Sequence, residues 1–205
     1  MPFPAPGEAN AVTAPLVPTQ IASAPGLCYA GFWLRLAASA IDYLLWLPLS
    51  FAIVYLNHKY RLFNLWYFLP GTLLGLWYQV YLVYRYGGTP GKLLLKIRIT
   101  MCDGSPVNQR AAWLRYSVSL VLSVLASIAG IIAVLRMSDA LYYSLDYWAL
   151  GQQTATQSPF WTHSVLVLFQ IWTWSEFVIL LLNQKRRALQ DFIAGTVVIK
   201  TNAVS

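Results

Sequence analysis

Three charged side chains in this sequence stand where an apolar chain tolerates charge least, and a fourth is a single acid in a basic tail. Arg35 and Asp42 fall in a greasy run over about 33–56, Glu176 falls in another over about 164–183, and Asp191 is the lone acid in a basic segment, four residues past Arg187. A charge placed in hydrocarbon costs at least about 2.5–3.5 kcal/mol, so each of these needs a partner or a use. Asp42 follows Arg35 by seven residues, two helical turns, which puts it on nearly the same face and about 10 Å deeper. Glu176 precedes Lys185 by nine residues, a depth of about 13 Å from the same side. The two carboxylates are expected to share one layer. Paired and desolvated, such acids can hold a monovalent cation or a proton near neutral pH. The plainer alternative is that Arg35 and the acids only neutralise one another so that the helices tolerate them.

Neutral groups fall at the same level. Gln79 lies six residues before Arg85 with Gly75 and Thr72 on its face, and Ser119, Ser123 and Ser127 recur every fourth residue. Turning these stripes inward predicts a polar pocket in the inner half of a helix bundle, with Asp42, Glu176 and Gln79 as its ion- or proton-binding set. Arg35 and Asp191 should meet at the rim of that pocket as a gating or structural ion pair. The segment Gly88, Thr89, Pro90, Gly91 and Lys92 is built to turn: glycine permits unusual backbone and proline fixes the next bend. It reads first as a rigid corner, and second as a cradle in which backbone N–H groups and Lys92 hold a lipid phosphate.

What must position these residues is a set of membrane spans. Of 205 residues, 58% are hydrophobic and 10% are charged, against roughly 25% charged in soluble domains. Four apolar runs, over about 33–56, 63–84, 113–135 and 164–183, each approach the ~20 residues that a helix needs to cross ~30 Å of hydrocarbon. The expected fold is all-α: a four-helix transmembrane bundle in residues 28–200, preceded by a disordered Pro/Ala-rich tail over 1–27 and followed by a short tail over 201–205. The alternating Lys96–Thr100 and the β-prone Thr196–Lys200, the first followed by the turn-forming Asp103-Gly104, should pair as a short cytoplasmic β-ribbon. The aromatic stretch from Ala140 to Trp148, in the long connection 136–163, should lie flat as an interfacial helix.

Lys and Arg set the orientation. Nine basic residues (Arg85, Lys92, Lys96, Arg98, Arg110, Lys185, Arg186, Arg187 and Lys200) fall on one side of a four-span chain, against Lys59, Arg61 and Arg136 on the other. Both termini are therefore expected in the cytoplasm, with anionic lipid as the partner of the basic face. The net charge of +7 is scattered between apolar runs, which speaks against nucleic acid. Cys28 and Cys102 give no metal-ligand spacing and read as two unpaired thiols. No phosphate fingerprint, catalytic triad order or paired-histidine spacing is present, so neither an enzyme nor a cofactor is expected.

The same residues resemble a known family. Gly31-Phe32-Trp33-Leu34-Arg35, running on to Asp42, is similar to the opening pattern of the RDD family of membrane proteins, named for one arginine and two aspartates. Gly88-Thr89-Pro90-Gly91-Lys92, with Ile97-Arg98-Ile99 and Asp103-Gly104, resembles its central motif, and Arg187 to Val198 its closing one, with Asp191 as the third named residue. The resemblance runs from about Gly31 to Ile199 and implies a multi-pass inner-membrane protein involved in transport, with cation/proton exchange proposed for some members. Gln190 stands where that pattern carries a histidine, which speaks against a His-Asp proton relay. Glu176 is not part of the pattern and rests on the depth argument alone. With only four spans, transport would favour a homo-oligomer.

Overall fold

The computed structural model describes residues 20–21, 24–182 and 187–201. Most of the expected N-terminal tail, Lys185 and Arg186 of the basic segment, and residues 202–205 lie outside the described residues, as does the side chain of Glu176.

The chain is mostly helical, with a short β-ribbon at one end. After a hairpin of β1 (Gln20–Ile21) and β2 (Ala24–Cys28) come α1 (Phe32–Lys59) and α2 (Phe63–Leu76). A π-helical turn, Trp77–Tyr81, leads on to α3 (Leu82–Tyr86), α4 (Pro90–Leu94) and β3 (Ile97–Met101). The remainder is α5 (Gln109–Arg136), α6 (Asp139–Ser144), α7 (Tyr147–Gln157), α8 (Thr162–Leu182), α9 (Leu189–Ala194) and β4 (Thr196–Lys200). Among the described residues, α1 and α5 are long and apolar enough to cross a membrane. The second expected run is one helical rod, Phe63 to Tyr86, divided by the π turn, and the fourth is the 21-residue α8. Pro48 sits inside α1 without ending it, and Pro70 likewise in α2.

The expected ribbon forms from one alternating and one β-branched segment. β3 and β4 pair antiparallel, from Ile97 with Lys200 to Met101 with Thr196, and Asp103-Gly104 turns the chain immediately after β3. At the start of the expected domain, directly after β2, Tyr29 bridges Ile199 and the Ala30 N–H donates to the Val198 carbonyl. Tyr29 and Ala30 thus pair with the open edge of β4, which would otherwise leave backbone groups unpaired.

The best-buried core lies at this ribbon end, where Ala38, Val83, Ile97, Ile99, Ala112 and Val198 meet between α1, α3, α5 and the two strands. Along the helices the apolar surface faces outward instead, with Trp33 78% and Trp66 77% exposed, as a lipid-facing surface requires.

The opposite end is closed by α6 and α7. The aromatic stretch expected to form one flat helix is two helices, because it contains a second N-cap: Ser138 accepts from the Leu141 N–H and Asp146 from the Ala149 N–H. Tyr142 and Leu150 pack on Val134 and Met137 of the α5 end. Arg61 pairs with Asp139 and donates to the Val134 and Leu135 carbonyls in the last turn of α5.

Candidate functional site

Two acids, the half-buried Asp42 and the fully buried Asp191, organise the ribbon end. Asp42, on α1, accepts from the Tyr78 hydroxyl at 2.5 Å, the Thr89 hydroxyl at 2.5 Å and the Gly91 backbone N–H at 2.7 Å. Each donor is there for a local reason. Thr89 caps α4, whose first residue is Pro90, a position where the missing N–H costs nothing. Gly91 lies so close to α1 that a Cβ would run into the Ala38 carbonyl oxygen and sit 2.8 Å from the Asp42 carboxylate. Tyr78 belongs to the π turn, packed edge-on against Trp46 at 5.0 Å. Gly87, with φ +78°, ends α3 in a left-handed cap and lets the chain reverse into α4. The glycine-rich segment is therefore a corner, riveted to α1 through the Asp42 carboxylate.

Asp191 is fully buried in the first turn of α9. One carboxylate oxygen accepts from Arg35 of α1 at 2.9 Å and from the Ala188 N–H at 2.9 Å. The other accepts from Arg115 of α5 and from the Thr196 hydroxyl at 3.3 Å. Arg115 also donates to Thr196 at 2.5 Å. Arg187 lies over the Phe192 ring and donates to the Asp191 and Thr196 carbonyls, which ties down the loop before β4. Burial alone would push the Asp191 carboxyl up, yet Arg115, Arg35 and the Ala188 N–H together hold it well below the usual carboxylate range. One acid thus gathers α1, α5, α9 and β4.

Above these clusters is a cavity of about 360 Å³ between α1, the π turn, α5 and α8, with Asp42, Gln79, Lys92, Ser119, Thr173 and Gln190 in its wall. Trp172 of α8 bonds through its indole N–H to Ser119 at 2.9 Å across the same space. Gln79, Gly75 and two of the three serines thus face the cavity as their spacing suggests, whereas Thr72 and Ser127 line a second cavity further along α2 and α5. Glu176 lies on α8 four residues past Trp172, with its side chain outside the described residues.

The expected Arg35–Asp191 pair is present. Sequence reasoning missed its third member, Arg115, although the signal was there: a charge two residues inside an apolar run, buried on folding to 5% exposure. It also missed that the Thr89–Gly91 segment and Asp42 form one unit, since nothing local in either stretch points to the other.

The arrangement defines a class: a helical protein with lipid-suited outer surfaces, clasped at one end by two acid-centred clusters around a polar cavity. The chain belongs to the RDD family, whose model matches residues 29–195, and it is a membrane protein. The match takes in Arg35, Asp42 and Asp191. No curated protein and no solved structure matches the chain.

Proposed function

We propose that the protein is a multi-pass transport protein of the inner membrane that takes a small polar ligand or monovalent cation into the cavity beside Asp42 and couples its movement to protons. Four crossings, α1, the α2–α3 rod, α5 and α8, with both termini in the cytoplasm, put the nine basic residues of the ribbon side against three opposite. The observation that carries the reading is a carboxylate on the wall of a half-open cavity between apolar helices, shared with Gln79, Ser119 and Thr173. A volume of about 360 Å³ falls at the small end of the range for organic ligands and far exceeds a bare ion, which favours the ligand. Glu176 follows Thr173 by three residues and Trp172 by four, one turn along α8 from two wall positions, and so joins the candidate set by helical position. Lys92, Lys96, Arg98 and Arg110 at the ribbon end suit an anionic lipid surface. A homo-oligomer would supply the scaffold that four helices lack for alternating access.

Purified protein in liposomes, assayed for solute-driven proton flux across a panel of cations and small organic ions, should show a flux that Gln79→Ala and Asp42→Asn abolish and Lys59→Ala leaves intact. Flux in Gln79→Ala and Asp42→Asn that equals the parent's counts against the reading.

A second reading has its own support. The Asp42 and Asp191 carboxylates are each already engaged by several donors, as structural rivets are. On this reading the protein is a non-transporting scaffold or lipid-binding module: no solute drives flux, and both acids act on stability alone.

A further inference from the structure

The second cavity, about 320 Å³, continues the first along the same groove between α2 and α5. On α2 and the π turn, the first cavity touches Gly75, Tyr78 and Gln79, and the second touches Asn64, Gly71 and Thr72. On α5 the first begins at Arg115 and the second ends at Gly130. Fifteen residues of helix separate these ends, about 22 Å of a hydrocarbon layer ~30 Å thick. The residues common to both walls are Tyr116 and Ser123.

The tyrosine marks the boundary. Its hydroxyl lies 2.9 Å from where a Cβ on Gly75 would be, so the phenol reaches across from α5 and rests in a notch that only glycine leaves open. That notch falls between Thr72, on the second cavity, and Tyr78, on the first. The ring is held by α5 and the core beneath it, while the facing rod carries the π turn two residues past Gly75, a turn type that recurs at functional sites.

We propose that the two cavities are the halves of a single polar passage along α2 and α5, for a small hydrophilic solute, and that Tyr116 is the side chain that divides it. Swinging the phenol out of the Gly75 notch joins the halves, because the other shared residue, Ser123, is too small to separate them. The proposal rests on the transport reading only in supposing that a solute travels this way; the dividing role of Tyr116 is measurable with no transported solute.

The test is one-sided thiol labelling of the full chain in membrane vesicles. Native Cys102, exposed just past β3, identifies the preparation whose ribbon end faces the medium. In a Cys28→Ser/Cys102→Ser background, Ser127→Cys reports on the second cavity and Ser39→Cys on the first. A charged, membrane-impermeant methanethiosulfonate added from the ribbon side should label Ser39→Cys readily and Ser127→Cys slowly. Tyr116→Ala should speed Ser127→Cys about ten-fold, a barrier lowered by about 1.4 kcal/mol, and leave Ser39→Cys unchanged. Tyr116→Leu, which keeps bulk near the backbone but does not reach Gly75, should give a smaller acceleration, and it serves if the alanine variant does not fold. An unchanged Ser127→Cys rate in both variants, or an equal acceleration at Ser39→Cys, overturns the proposal. Tyr116-dependent labelling in a protein that drives no solute flux overturns the transport reading and keeps the passage, whereas solute flux with labelling indifferent to Tyr116 does the reverse.

Discussion

Replacing Asp191 by asparagine tests the clasp at its centre. The substitution keeps the shape and removes the charge that two buried guanidiniums share, Arg35 at 2.9 Å and Arg115, both under 10% exposed. An uncompensated buried charge costs about 3–5 kcal/mol, and here two arginines lose their common partner while the Ala188 N–H and the Thr196 hydroxyl keep weaker ones. At roughly 2–4 °C per kcal/mol for a chain of this size, melting in detergent should fall by about 6–20 °C, read from tryptophan fluorescence. The Asp191→Ala/Arg115→Ala double variant should cost little more than Asp191→Ala alone, because the two changes remove the same interaction. The pH dependence has a definite sign. A carboxylate held low in the folded state adds stability that is fully present above its unfolded value, about 3.9, and is lost as pH falls through the lower folded value. The gap between parent and Asp191→Asn should therefore stay constant from pH 7 to 5 and narrow only under strong acid. A variant that melts with the parent, or a gap that closes between pH 7 and 5, would refute the reasoning.

Further substitutions probe the corner. Gly91→Ala drives a methyl into the Ala38 carbonyl, and since backbone on a packed helix cannot yield cheaply, a loss of about 1–3 kcal/mol is expected in the same melting assay. Thr89→Val removes one of the three donors to Asp42 and should cost about 1–3 kcal/mol, whereas Thr89→Ser, which keeps the hydroxyl, should melt within a degree or two of the parent. Asp42→Asn should be destabilised by a similar amount, since its amide nitrogen cannot accept from donors placed for a carboxylate; a melt equal to the parent's would mean that the three contacts carry no net energy.

Much of this architecture follows from short-range pattern. Hydrocarbon runs become helices wherever they occur, because a backbone surrounded by apolar side chains must bond to itself. Alternation in Ile97–Met101 and the β-branched run Thr196–Ile199 make strands for equally local reasons, and with so few strands among the described residues their pairing has little competition. Even the Arg35–Asp191 contact, 156 residues apart, could be inferred, since two lone charges at one depth have few other places to go.

The packing of helix against helix decided the rest. Gly88 to Lys92 reads in sequence as a turn with or without a ligand, and only the approach of α4 to Ala38 shows that its Thr89 hydroxyl and Gly91 N–H are consumed by Asp42. Arg115 joins Asp191 because α5 enters the bundle at that rotation, and Tyr116, one residue on, lands in the Gly75 notch for the same reason. Composition, periodicity and charge say which segments must be buried and which charges must meet. The rotation of each helix about its own axis comes from the side-chain fit of all its neighbours together, and that rotation chooses the partners of Asp42 and the residue that stands between the two cavities.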